Sequence, residues 1–227
     1  MSSISENSIE TQLINNQQET QQNKVLTNYI QFFSRLFIIK RVVKEDDLIQ
    51  SIQTHFNTLS ISSIIRELNQ SFQALHMEIR RSIDQNTGDY VYVLITTSLD
   101  EINQIACIFD QNDLKKVNEL IELLTNNNYK IQRNSLDDEY DSVCNILIEL
   151  KYLNEISGIL TFGPCYLVSE EASELELPRC EICNLPGTMG TFCPNTTCQT
   201  FYHLLCLKRL GRENHICSHC KTHLDYN

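Results

Sequence analysis

Long apolar runs and an excess of positive charge are both absent from this sequence of 227 residues. It contains no run of about eighteen or more apolar residues, and its start, MSSISENSIETQ, lacks a basic-then-apolar leader. We therefore expect that the protein neither spans a membrane nor is secreted. We expect it to lie in the cytoplasm or the nucleus.

Lys and Arg total 18 against 29 Asp and Glu, which gives a formal net charge of −11. Because an acidic surface repels phosphate, we expect no strong nucleic-acid binding by this chain alone.

Polar residues dominate the first 24 positions, fifteen of which are Ser, Thr, Asn or Gln. Such a segment cannot bury enough apolar surface to offset the entropy of ordering. The sequence therefore predicts a disordered polar tail over residues 1–24, with the folded part beginning near residue 25.

Apolar residues then recur at helical spacing in three segments. Their members are Leu26, Tyr29, Ile30, Phe33 and Leu36, then Leu48, Ile49, Ile52 and Phe56, then Ile61, Ile64, Ile65, Leu68 and Phe72. The period changes to two around Met77 and Ile79, and the turn-rich DQNTGD leads into YVYVLITT, which predicts a hairpin. Three helices followed by a hairpin are typical of a winged helix, which we predict over residues 25–98.

The same order partly recurs over residues 99–168. Leu114, Val117, Leu120, Ile121 and Leu124 mark a helix that asparagines stop at 126–128. Ser135, with Asp138 three residues on, resembles a cap that opens a second helix. The stretch YLNEISGILTF predicts two short strands around a Ser-Gly turn. We therefore predict a second winged helix, and an α+β, mainly helical chain.

Ten cysteines in a chain without a secretion signal favour metal binding over disulfides. Cys107, Cys144 and Cys165 stand singly among apolar residues, so we expect them to be small buried side chains. The other seven and one histidine form a closely spaced series: Cys180, Cys183, Cys193, Cys198, His203, Cys206, Cys217 and Cys220. Since four soft donors close one structural site, the series predicts two Zn²⁺ ions in a small domain over residues 179–227. An acidic linker at 169–178 precedes it.

Two pairings of these ligands are open, a consecutive one and an interleaved one. The interleaved pairing is favoured, because it ties both ends of a segment that is too small for an adequate apolar core. In that scheme the first zinc is held by Cys180, Cys183, His203 and Cys206, and the second by Cys193, Cys198, Cys217 and Cys220. Either scheme predicts a domain that unfolds when a chelator removes the metal.

Four Cys, one His and three Cys at these spacings resemble two known groups, plant homeodomain fingers and a variant class of RING domains. Plant homeodomain fingers usually carry an aromatic residue two positions before the seventh ligand, where this chain has His215, and the sequence contains no Trp. The RING resemblance is therefore favoured over a histone-reading finger.

Together with the predicted winged helices, LHMEIRRSIDQNTGDYVYVLITT and CEICN...CPNTTCQTFYHLLCLKRL...CSHC resemble the RING-bearing non-SMC element 1 family of the SMC five-six complex. The resemblance implies a chromosome-associated nuclear protein in DNA repair and recombination. It also implies two partners, a MAGE-type winged-helix subunit and a kleisin subunit, docked on the winged-helix half.

RING domains form no covalent intermediate, so the resemblance implies a ubiquitin ligase without a catalytic residue of its own. It places the ubiquitin-conjugating enzyme against Ile182, Leu210, Ser218 and Lys221. Ser218 stands where a proline is usual, and Leu210 where Trp is frequent. Packing around the metal sites is the other interpretation of Ile182 and Leu210. A subunit whose zinc domain only stabilises the complex is the alternative function.

Overall fold

The computed structural model of the chain describes residues 28–56, 60–97, 108–211 and 216–224. The predictions for the tail at 1–24, for Cys107 and for His215 lie outside the described residues. Within the described part, no helix combines the length and the apolar character that crossing a membrane requires. The fold mixes helices and sheets, as the sequence predicts.

Three helices and a three-stranded sheet form the first unit. In chain order they are α1 over 28–40, β1 Val42–Lys44, α2 Glu45–His55, α3 Ile61–Phe72, β2 Met77–Ile83 and β3 Tyr90–Thr96. The strands are antiparallel in the order β1–β3–β2, and the turn at 84–89 joins β2 to β3. This order of elements confirms the first predicted winged helix.

Local signals start the helices of this unit and direct them to one core. The first turn of α2 is acidic, with Glu45, Asp46 and Asp47 at the positive end of the helix dipole. Ser60 precedes α3, and its hydroxyl accepts a hydrogen bond from the backbone N–H of Ser63. The apolar faces meet in a buried cluster that includes Tyr29, Phe33, Phe37, Leu48, Ile52, Ile64, Leu68 and Phe72.

The second unit repeats the order with a modified middle. Its elements are α4 Gln111–Asn126, β4 Ile131–Gln132, α5 Asp141–Glu149, β5 Leu153–Ile156 and β6 Ile159–Phe162, in the sheet order β4–β6–β5. Two 3-10 helices, Arg133–Ser135 and Asp138–Tyr140, take the position that α2 has in the first unit. Ser157 and Gly158 join β5 to β6, and both have the positive φ that a tight two-residue hairpin turn favours.

The cap predicted at Ser135 is wrong. Its hydroxyl donates to the carbonyl of Gln132, and α5 begins further on, at Asp141, without a side-chain cap. Serine hydroxyls close local turns as well as helix ends, which is why the spacing misled the prediction. Asp110, which the sequence analysis did not single out, caps α4 by accepting from the backbone N–H of Asp113.

Strand β3 is shared between the cores of the two units. Tyr92 and Leu94 pack into the first core, whereas Val91, Val93 and Ile95 pack into the second. Successive side chains of a strand point to opposite faces, so alternate residues of β3 serve the two cores. Burial on both faces explains why YVYVLIT lacks the polar alternation of a half-exposed strand.

The segment 169–178 packs against both units. Ser169 accepts a hydrogen bond from the backbone N–H of Ala172 and so caps the short helix α6, Glu170–Glu174, and Ala172 is buried in the second core. Arg80 of β2 donates to the carboxylate of Glu170 at 2.5 Å. An acidic connector is therefore held to the first hairpin by charge and to the second core by burial. Cys144 and Cys165 lie buried in that second core, as predicted.

The last part of the chain forms a small domain with little regular structure. Its elements are β7 Gly190–Phe192, β8 Phe201–His203 and the helix α7, Leu204–Arg209. Strands β7 and β8 pair antiparallel, with Gly190 opposite His203. Most of its buried residues are cysteines and aromatic residues, so its apolar core is small.

Candidate metal centres

The first group of metal-binding side chains brings together Cys180, Cys183, His203 and Cys206. Their ligand atoms lie within 4.8 Å of one another, and all but the half-buried Cys183 are buried. Nδ1 of His203 lies 3.4 Å from Sγ of Cys183 and 3.7 Å from Sγ of Cys206. Strand β8 ends at His203 and α7 follows at once, so this junction brings His203 and Cys206 to the same point.

The second group brings together Cys193, Cys198, Cys217 and Cys220, again with all four sulfurs within 4.8 Å of one another. Sγ of Cys193 lies 3.3 Å from Sγ of Cys220, and Sγ of Cys198 lies 3.7 Å from Sγ of Cys217. The first two residues lie in the loop that joins β7 to β8, and the last two come from the turn near the end of the described chain. The grouping is thus the interleaved one.

These separations fit a four-coordinate metal centre. Sulfurs about 2.3 Å from a tetrahedral metal lie about 3.8 Å apart, whereas bonded disulfide sulfurs lie about 2.05 Å apart. The distances of 3.3 and 3.7 Å in the second group are close to the first value, and all of its thiols are free. The structure therefore holds two groups of side chains that could each bind one metal ion.

Hydrogen bonds within the first group shift the pKa values of its donors. Hydrogen bonds from Cys183 and Cys206 lower the pKa of the Cys180 thiol, whereas the hydrogen bonds of Cys206 to Cys180 and Cys183 raise the pKa of Cys206. Burial lowers the pKa of His203, but its hydrogen bonds to Cys180 and Cys183 outweigh burial and raise the pKa to about 9. Since negative sulfurs this close repel one another, a divalent cation is what would let all three ionise together.

Tyr202 connects the two groups. It is buried in β8 beside His203, and its hydroxyl lies 3.4 Å from Sγ of Cys217 and accepts from the backbone N–H of Ser218 at 3.0 Å. Burial raises the pKa of the Cys217 thiol, but donation from the backbone of Cys220 and from the Tyr202 hydroxyl lowers it to about 5. The hydroxyl thus favours a thiolate at Cys217. The spacing of the metal ligands in the sequence does not predict this role for Tyr202.

Tyr202→Phe keeps the ring in place and removes only the hydroxyl. Because partners of this kind outside the ligand set typically change metal affinity by about 10- to 100-fold, we expect the second group to lose affinity by about 10-fold while the first keeps its own. Competition with a metal-binding dye measures both affinities. The matched control is Tyr140→Phe, whose hydroxyl donates to Glu119 on the second winged helix. Equal affinities in the wild type and Tyr202→Phe would contradict this role.

The four side chains that the resemblance assigns to a conjugating enzyme are all exposed. Ile182 is 37% exposed and Leu210 is 45% exposed, so packing around the metal groups leaves much of both side chains uncovered. The hydroxyl of Ser218 donates to the carboxylate of Glu181 at 3.0 Å, and Nζ of Lys221 donates to the carbonyl of Ser218 at 2.8 Å. These bonds join the loop of Ile182 to the loop of Ser218 and Lys221. Among the described contacts, none extends this network to Leu210.

The first metal group rests on the hairpin of the first winged helix. Ile83 of β2 forms a buried cluster with Cys180, Phe201 and Cys206. At the rim, the guanidinium of Arg209 lies 5.1 Å from the ring centroid of Tyr90 at the start of β3. The first winged helix therefore packs directly against the metal domain beside the first metal group. The spacing of the ligands in the sequence cannot predict this contact.

The sequence also aligns with a known family over the winged-helix half. Residues 22–146 match the family described as the Nse1 non-SMC component of the SMC5-6 complex, a match that covers more than half of the chain. This chain belongs to the Nse1 family. The match confirms the resemblance inferred from the hairpin passage and the Cys/His series. Individual relatives also align with this chain beyond residue 146.

Nse1 relatives align along nearly the whole chain. The human protein named "Non-structural maintenance of chromosomes element 1 homolog" is 23% identical over 236 residues, which cover 91% of this chain and 88% of the human protein. The protein of the same name from Bos taurus is 22% identical over 237 residues, with the same coverage. A solved structure titled "Nse1-Nse3-Nse4 complex" matches with a TM-score of 0.60 and 16% identity, covering 87% of this chain and 96% of that one. That likeness shows a shared fold.

Proposed function

We propose that this Nse1-family chain is a RING-type ubiquitin ligase subunit that acts in DNA repair and recombination on chromosomes in the nucleus. The observation that carries the proposal is the interleaved arrangement of two four-donor groups beside an exposed apolar surface that includes Ile182. In a RING domain such an arrangement binds a conjugating enzyme charged with ubiquitin. The ligase acts by holding that enzyme in a reactive conformation.

Each group of donors would hold one Zn²⁺. Thiolate and imidazole are the donors that zinc takes in structural sites, and four protein donors leave no position for a reactive water. The metals would therefore hold the loops in place and take no part in the transfer of ubiquitin. This role fits a surface whose contact residues are exposed while most metal donors are buried.

The partners follow from the family. The solved structure that shares this fold is titled as a complex of Nse1 with Nse3 and Nse4. We propose that this chain likewise binds a MAGE-type subunit and a kleisin subunit through its winged helices. The charge pattern supports an indirect role on DNA, because net charge is −11 and both arginines of the first hairpin are paired with carboxylates. DNA contact would then come from the partners.

A ubiquitin-transfer assay tests this function. The purified chain, with and without its MAGE-type partner, is added to ubiquitin, activating enzyme and a panel of conjugating enzymes. We expect faster formation of ubiquitin chains with at least one conjugating enzyme, and a larger acceleration when the partner is present. Rates that stay at the level of the enzyme-only reaction across the panel, with or without the partner, would rule out ligase activity.

A structural subunit without catalysis is the second candidate, and Ser218 favours it. The hydroxyl of Ser218 is committed to Glu181 in the loop of Ile182, so the two loops are tied together. If the metal domain only stabilises the complex, Cys198→Ala should break assembly with the partners, whereas Ile182→Ala should leave assembly and repair unchanged. Ligase function instead requires that Ile182→Ala impair repair while assembly persists. Co-purification and a DNA-damage survival assay separate the two.

A further inference from the structure

Gln85 lies at the tip of the first hairpin, where a polar residue would normally face water, yet its side chain is only 5% exposed. Its Oε1 accepts hydrogen bonds from the backbone N–H groups of Thr188 at 2.7 Å and Met189 at 2.8 Å. Its Nε2 donates to the carbonyl of Phe162 at 3.1 Å and to the hydroxyl of Thr188 at 3.2 Å. One side chain of the first winged helix thus bonds to the second winged helix and to the metal domain.

The orientation of this amide follows from its partners. Backbone N–H groups can only donate and a carbonyl can only accept, so the oxygen must face Thr188 and Met189 and the nitrogen must face Phe162. All four hydrogen-bonding positions of the amide are then used. Glutamate could satisfy the two N–H groups but could not donate to the carbonyl in its ionised form, and methionine could satisfy none of these partners.

The segment that Gln85 holds also supports a metal donor. Gly187 immediately precedes Thr188, and a Cβ at Gly187 would overlap the ring of His203 at Nε2 and lie 2.8 Å from Oε1 of Gln85. The backbone at 187–189 is therefore wedged between Gln85 on one side and His203 on the other. Nε2 of His203 is buried without a hydrogen-bond partner among the described residues, so packing against this segment is what keeps the ring turned with Nδ1 toward the sulfurs.

We propose that Gln85 is a positioning residue, which locks the metal domain onto both winged helices and, through residues 187–189, holds His203 in place as a donor to the first metal. Among the described residues, the second metal group packs within the metal domain itself, where its four cysteines cluster with Tyr202, Leu207 and Leu224. Loss of the Gln85 contacts should therefore loosen the first metal and leave the second unchanged.

The test is the rate of metal release from the full-length chain to a coloured chelator, followed separately for the two sites. Cobalt(II) makes this possible, because a centre of three cysteines and one histidine absorbs differently from a centre of four cysteines. In Gln85→Met, which keeps the side-chain volume, we expect about 10-fold faster release from the first site and wild-type release from the second. Gln85→Glu keeps the acceptor for both N–H groups, so its release rate at the first site should lie between those of the wild type and Gln85→Met.

Asn86→Ala is the control, since Asn86 is the exposed neighbour in the same turn, and it should release both metals at the wild-type rate. Equal release rates in Gln85→Met and the wild type would overturn the role of Gln85, as would equal acceleration at both sites. If Gln85→Met fails to fold, the release rates of Gln85→Glu decide the question by the same criteria. The inference rests on metal binding at the first group, and a wild-type chain that binds no metal would remove both this inference and the proposed zinc sites.

Discussion

Replacing Cys206 by alanine is expected to release the first metal and to destabilise the metal domain. Cys206 is 1% exposed, and its thiol meets Cys180, Ile83 and Phe201 in one buried cluster. Structural zinc contributes about 10–16 kcal/mol of apparent binding free energy in small zinc domains, and such domains have little other stabilisation. A three-donor site should lose most of that binding energy. Native mass spectrometry should therefore show one bound metal per chain in place of two.

Cys144→Ala is the matched control for this change. It also removes a thiol, at a position as buried as that of Cys206. Cys144, however, lies in the core of the second winged helix rather than at a metal group. We expect it to lower the free energy of unfolding by about 1–2 kcal/mol through the small cavity it leaves, with both metals retained. Two metals bound to Cys206→Ala, with an unchanged melting temperature, would show that the first group is not a metal site.

Gly187→Ala is expected to produce the second large effect. The added methyl group would overlap the His203 ring, and neither neighbour can move aside easily, because Gln85 makes four hydrogen bonds and His203 faces the sulfurs of Cys183 and Cys206. Overpacking of this kind typically costs about 1–3 kcal/mol. We expect partial loss of the first metal together with a lower melting temperature.

Gly158→Ala separates steric overlap from loss of glycine itself. Gly158 has φ of 77° in the β5–β6 turn, and a Cβ there would meet nothing within 4 Å. Alanine at this position should cost about 1 kcal/mol through backbone strain and leave the metal content at two per chain. If Gly187→Ala matched this control in both melting temperature and metal content, the packing of residues 187–189 against His203 would not support the first metal.

Much of this architecture is predictable from local patterns in the sequence. The apolar spacing of Leu48 and Ile52 predicts α2, and the alternation at Met77 and Ile79 predicts β2, because each pattern reflects the repeat of its own backbone. The Cys/His series is equally informative, since pairs separated by two residues can share one metal whatever fold surrounds them. These features depend on neighbours in the sequence and so can be read directly.

The features that escaped prediction depend on contacts between distant segments. Gln85 lies in a turn sequence that predicts exposure, and the approach of residues 188–189 and of Phe162 buries it. Tyr202 is one aromatic residue among several near the ligands, and its role requires that Ser218 come within reach of its hydroxyl. Strand β4 has only two residues, too few for a periodic signal. Nothing in the local sequence marks these positions, because their roles arise from how three units pack.

The central claim, ligase function, is tested most directly by single-turnover discharge of ubiquitin from a charged conjugating enzyme. The wild type, Ile182→Ala and the control Leu75→Ala are compared in the presence of the MAGE-type partner, at matched metal content. Leu75 is an exposed apolar residue outside the metal domain, 61% exposed against 37% for Ile182. We predict that the wild type and Leu75→Ala accelerate discharge equally. Ile182→Ala should reduce the acceleration by about 10-fold or more, because it removes a central apolar contact with the conjugating enzyme. Equal discharge by all three proteins, or no acceleration by the wild type, would contradict the account.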